Sequence, residues 1–165
     1  MKHIFVILIL CALVLRTSAC SCGEKPTTVE AVARSAIVFS GVLTKLEVIN
    51  RPEPKPDGNI SHYGAILVCV FTEVEAFKGA ANAKKEVTVM TPFGFAACRY
   101  PFEIGLPYLV YASVDDGELW TTACDRTRPV FISFEAKDSN GYTRIERDDA
   151  RSVEIPAIKK ALGLK

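Results

Sequence analysis

The residues with the most chemical promise sit together at Cys20-Ser21-Cys22. Ahead of them, Lys2 and His3 form a short polar start and Ile4 to Leu15 is an almost unbroken apolar run. Thr17-Ser18-Ala19 then supplies small residues, so 1–19 reads as a secretory signal peptide with cleavage after Ala19. The mature chain would begin with a half-cystine carrying an unblocked α-amine. Such an amine has a pKa of about 7.7–8.0, so near neutral pH a useful fraction is the neutral base that can coordinate a metal. A rival reading of the boundary, a lipoprotein acylated at Cys20, would remove that amine. Thr17 stands where an apolar residue is usual in such boundaries, and Arg16 intrudes, so cleavage to a free amine is preferred.

The remaining cysteines must support that terminus. Cys11 leaves with the leader, and Cys20, Cys22, Cys69, Cys98 and Cys124 stay. In an oxidising compartment disulfides are the default. Cys20 and Cys22 are too close to pair with each other without strain, so each reaches elsewhere, to Cys98 and Cys124. Cys69 lies inside the apolar run Ala65 to Phe71 and reads as a buried thiol that behaves as a small hydrophobe. A resident metal site is disfavoured, because Cys-x-Cys alone is a weak signal and only His62 survives cleavage. No cofactor of the protein's own is expected.

Other function classes recede. No His-Glu-x-x-His or Gly-x-Ser-x-Gly pattern occurs, His62 stands in a proline-rich loop, and Tyr63, Arg126 and Arg128 read as surface residues, so an enzyme is not expected. The formal charge of +1 becomes −1 once Lys2 and Arg16 leave, unlike the basic footprint of a nucleic-acid binder. The leader's apolar run falls short of the roughly 20 residues of a spanning helix, and no later stretch approaches it. A secreted, extracellular protein without a membrane span is the expectation. Removing 19 of 165 residues leaves enough chain for one domain with a core.

The elements that must hold the terminus follow in order. Thr28 ahead of Val29, Val32, Ala33, Ala36 and Ile37 predicts a short capped helix, without a full capping box between Thr28 and Glu30. Ile37 to Ile49 is a long strand bent at Gly41. Arg51 to His62 is an exposed loop with Asn59-Ile60-Ser61, a candidate N-glycosylation site at Asn59. Gly64 to Lys78 forms a hairpin with the first strand, apolar on both faces in its middle. Glu86 to Thr91, Tyr108 to Val114 and Glu118 to Ala123 supply three more strands, the last two joined by Asp115-Asp116-Gly117. A small hairpin, Val130 to Phe134 with Tyr142 to Glu146, turns at Asn140-Gly141. A C-terminal helix through Ile155, Ile158 and Leu162 stops near Gly163. The class is mainly β, a small five-stranded OB-fold barrel with short flanking helices.

Several of these residues together resemble the tissue inhibitors of metalloproteinases and their netrin-like module. Cys20-Ser21-Cys22 resembles that family's N-terminal Cys-x-Cys, and Thr91-Pro92 leading to Cys98 resembles its Thr-Pro approach to a cysteine. Phe77-Lys78-Gly79 is similar to the end of its second barrel strand. Gly105, Tyr108-Leu109-Val110, Asp116-Gly117, Leu119 and Thr122-Ala123-Cys124-Asp125 follow in the family's order. The likeness spans roughly Cys20 to Val130 and implies a netrin-like domain over 20–165 with a C-terminal helical extension.

The resemblance implies disulfides Cys20–Cys98 and Cys22–Cys124. It implies a metalloprotease inhibitor whose Cys20 amine and carbonyl chelate the catalytic zinc of the target enzyme. Ser21 would point beside that zinc, Cys22 and Gly23 would continue along the cleft, and Ala96 and Ala97 would flank the other side. The chain departs from the family at Gly23, where a bulkier residue is common, and in lacking cysteines for a third disulfide. The alternative is a secreted netrin-like binding module, not inhibitory, acting on a host or extracellular-matrix protein.

Overall fold

The computed structural model describes residues 21–52, 64–79, 85–94, 98–137 and 143–164. The leader 1–19, Cys20, Asn59, His62, Tyr63, Ala96, Ala97 and the Asn140-Gly141 turn lie outside the described residues.

An irregular segment from Ser21, bent at Glu24, runs into helix α1, Thr28–Arg34. Its cap is Thr27 and not Thr28. The Thr27 hydroxyl accepts from the Glu30 N–H at 3.3 Å, and the Glu30 carboxylate accepts from the Thr27 N–H at 2.8 Å. The Thr-x-x-Glu spacing thus gives the complete box that the Thr28 register denied. At the other end Lys78 caps the helix, its Nζ donating to the carbonyls of Val32 (2.6 Å), Ala33 (3.2 Å) and Ser35 (2.6 Å). Gly79 follows with φ +82, and a Cβ there would stand 2.7 Å from the Ala36 carbonyl oxygen. Phe77-Lys78-Gly79 therefore docks α1: Phe77 packs beneath it, Lys78 holds its carbonyls, and Gly79 permits the close approach.

Strands β1 (Ile37–Arg51), β2 (Gly64–Lys78), β3 (Val87–Pro92), β4 (Pro107–Asp115) and β5 (Glu118–Trp120) form the main sheet in the order β1-β2-β3-β5-β4. Pairing of β1 with β4 closes these five into a ring. All contacts are antiparallel except β3–β5, which is parallel and rests on the pair Met90↔Trp120. Ile37–Val42 pairs with β4 on one edge and β2 on the other, and a register shift between Ser40 and Val42 puts the expected bend at Gly41. A Cβ at Gly41 would lie 3.2 Å from the Thr72 carbonyl oxygen, so the strands cross there closely. Beyond Leu43 the β1–β2 hairpin continues without β4.

Strand alternation divides two cores. Phe39, Leu43, Cys69, Phe71, Val89, Tyr108 and Val110 point into the ring. Phe71 is its hub, meeting the rings of Phe39 and Phe102 edge-on at 5.4 Å each and that of Tyr108 at 6.3 Å. The alternate residues Val38, Leu109 and Tyr111 face outward beneath Ala31 and Val32 of α1 and Ile155 and Ile158 of helix α2, Glu154–Ala161. Both faces of β4 are thus covered, which explains its unbroken apolar reading. Cys69 is a free, fully buried thiol, and burial pushes its pKa up to about 12.

Strand β5 ends at Trp120, three residues before the expected Ala123. Asp125 turns the chain instead, its carboxylate accepting from the Thr122 N–H at 2.7 Å and the Thr122 hydroxyl at 2.9 Å. A two-residue strand β6, Arg128–Pro129, then pairs with Tyr108 and Leu109. The small hairpin is a separate sheet of β7, Phe131–Lys137, and β8, Thr143–Asp149. Val130 stays outside it, buried, with its N–H on the Pro107 carbonyl at 2.8 Å. Helix α2 gives way at Gly163, φ +66, as expected. Among the described residues no helix is long and apolar enough to cross a membrane.

Candidate functional site

Three segments converge at one end of the ring. Strand β3 leaves through Pro92 toward Cys98, β5 leaves through Thr121 toward Cys124, and the N-terminal segment arrives as exposed, irregular Ser21-Cys22-Gly23. The Thr121 N–H donates to the Met90 carbonyl at 2.9 Å, and the Ala123 N–H to the Cys98 carbonyl at 2.8 Å. Buried Thr91 accepts from the Tyr100 N–H at 3.1 Å. Backbone bonds thus hold the two exits side by side before any sulfur is counted.

Cys22 is disulfide-bonded to Cys124, with the Cα atoms 5.1 Å apart. Cys98 is disulfide-bonded as well, to a cysteine outside the described residues. The sulfurs of Cys22, Cys98 and Cys124 all lie within 4.8 Å of one another. These three could pass for a metal cluster, but sulfurs committed to disulfides are not thiolate donors, so the set does not fit a resident ion.

Ser21, Cys22 and Gly23 are exposed. A Cβ at Gly23 would meet nothing within 4 Å, so packing does not impose the small residue there. Just past the end of β3, Phe93 is also exposed, with the Arg99 guanidinium 5.2 Å over its ring. Ala96 and Ala97, expected to flank the terminus, fall outside the described residues.

Behind Ser21-Cys22-Gly23, Arg126 and Arg128 are not the surface residues that the sequence suggested. Their side chains are only 20% and 18% exposed and both reach Glu154, itself 3% exposed, at 2.8 Å and 3.4 Å. The Tyr111 hydroxyl donates to the same carboxylate at 2.8 Å. Burial, then that carboxylate, raise the Tyr111 pKa, so the hydroxyl keeps its proton and remains a donor. Arg126 also donates through Nη1 to the Pro26 carbonyl at 2.8 Å. Between Cys22 and Pro26 the chain passes over a cavity of about 420 Å³ whose walls include Arg34, Ser35, Tyr111, Ser113 and Arg126. The sequence signal was slight: a lone glutamate opening an apolar helix stripe, and two arginines following Cys124.

The arrangement offers a short, exposed backbone stretch with a fixed sulfur anchor at Cys22, and no nucleophile paired with a base among these residues. What it can offer chemically is exposed main-chain donors and acceptors. No protein-family model matches the chain, and no curated protein matches it either.

Proposed function

We propose that the mature chain is a secreted inhibitor of zinc metalloendopeptidases, beginning at Cys20 and built on an OB-type, netrin-like barrel. Cys20 is the partner of Cys98 in this reading. The observation that carries it is the anchoring of the N-terminal segment: Cys22 is bonded to Cys124 with the bonded sulfur of Cys98 alongside, at an exposed end of the ring. The strand order β1-β2-β3-β5-β4, closed by β1–β4, supports the barrel type.

A catalytic zinc holds three protein ligands and a water. The neutral α-amine of Cys20 takes the place of that water, and the adjacent carbonyl completes a five-membered chelate. Zinc favours the deprotonated amine, so binding releases a proton below the amine's pKa. Ser21, small and exposed, sits beside the metal without a clash, and Cys22 and Gly23 extend along the cleft, with Ala96 and Ala97 on its other side. The bound segment puts no scissile bond before an activated water, so the complex is not turned over. Anchoring before binding lowers the ordering cost that a flexible peptide would meet.

The test is titration of the secreted protein against a panel of zinc metalloendopeptidases, followed by measurement of its direct binding to a sensitive enzyme with and without a small hydroxamate that occupies the zinc. Inhibition is expected, with binding of the protein lost when the hydroxamate is present. Undiminished binding to the hydroxamate-occupied enzyme would refute chelation, and no inhibition of any member would favour the non-inhibitory binding module.

A further inference from the structure

The segment from Cys22 to Pro26 is built as a strap. Cys22 is tied to Cys124 at its front, and the Pro26 carbonyl is held by Arg126 at 2.8 Å behind. Between these points Gly23, Glu24 and Lys25 are exposed, and no hydrogen bond joins them to any other described residue. The cavity of about 420 Å³ lies beneath them, so packing does not fix the span. Two tethers set its course.

The rear tether leads to the far end of the chain. Arg126 uses Nε on the Glu154 carboxylate at 2.8 Å while Nη1 holds Pro26. Glu154 belongs to the first turn of α2 and is locked by Tyr111 and Arg128 as well. The planar guanidinium has separate donors for the two acceptors at fixed angles, which a lysine ammonium lacks.

We propose that Arg126 is a positioning residue: oriented by Glu154, it fixes the rear of the N-terminal strap, so that helix α2 sets the course of the edge presented to a partner. The effect on inhibition rests on the inhibitor reading above, whereas the effect on the strap does not.

The test compares the disulfide-intact full protein with Arg126→Lys and Glu154→Gln, reading backbone amide order parameters by NMR relaxation and inhibition together. Arg126→Lys keeps the charge beside Glu154 but not both fork contacts. Order parameters across Gly23–Lys25 should fall from about 0.85 to below about 0.6, while ring amides such as Phe71 and Val110 keep theirs. Inhibition of a sensitive metalloendopeptidase should weaken by about tenfold, mainly through faster dissociation. Unchanged strap order parameters overturn the proposal. So does a loosened strap with undiminished inhibition. If Arg126→Lys loosens the ring too, Glu154→Gln decides, since it preserves shape and leaves Arg126 in place: selective loosening of the strap supports the tether, and none overturns it. If the unaltered protein inhibits no metalloendopeptidase, the inhibitor reading fails while the relaxation arm still judges the tether.

Discussion

Removing the Cys22–Cys124 bridge tests the anchoring of the segment at Cys22 quantitatively. The double substitution Cys22→Ser, Cys124→Ser opens a link with sequence separation 102. Taken alone, a loop of that size restricts the unfolded chain by about 4.7 kcal/mol. The Cys98 bridge remains, and if its partner is Cys20 the unfolded chain is already closed nearby. The link removed then spans only about 30 residues along the shorter path, worth about 3.6 kcal/mol. Urea unfolding with linear extrapolation should show a loss of about 3–4 kcal/mol, and the midpoint of thermal unfolding should fall by about 10 °C. The ring core retains Phe71 and its aromatic neighbours, so the variant should still fold, with the proposed inhibition lost because Ser21 and Gly23 are no longer held. A loss below about 1 kcal/mol would refute the premise that this bridge constrains the chain.

Gly79→Ala sets a Cβ against the Ala36 carbonyl oxygen at 2.7 Å in a left-handed backbone conformation, and should cost about 2–4 kcal/mol in urea unfolding. Unchanged stability would contradict the close approach of Gly79 to the link between α1 and β1. Cys69 should resist a thiol reagent at pH 8 in the native protein and react fully once unfolded, and rapid native labelling would contradict its burial. Its folded pKa of about 12 exceeds the ordinary 9.0, so the unfolded state releases the proton first. Stability should therefore fall as pH rises from about 9 toward 12, by an amount absent from Cys69→Ala measured in parallel.

Much of the ring was legible because its signals were local. Glu73 and Glu75 marked the alternation of β2, and Asp116-Gly117 marked the turn into β5, where both residues adopt positive φ. Neighbouring side chains blurred the boundaries. Thr121 to Ala123 looked like strand until Asp125 took the Thr122 N–H for a turn, and Thr28 looked like the cap until Glu30 reached back to Thr27. Strand β6 has two residues, too few to show a period, and exists only because Tyr108 and Leu109 offer it an edge. Ring closure between β1 and β4 is a long-range pairing that no window of sequence contains. At the candidate site, cysteine order and the family resemblance pointed to Cys22 and Cys124. Arg126 escaped because its partner Glu154 lies 28 residues on and an isolated arginine reads as solvated.

Adding one alanine ahead of Cys20 most directly tests the central claim that the first amine of the mature chain is the inhibitory ligand. The extension leaves every side chain in place and removes only the primary amine from Cys20. Inhibition should disappear in that variant while its thermal midpoint and disulfide content match those of the unextended protein. Equal inhibition by the two forms would contradict chelation through Cys20.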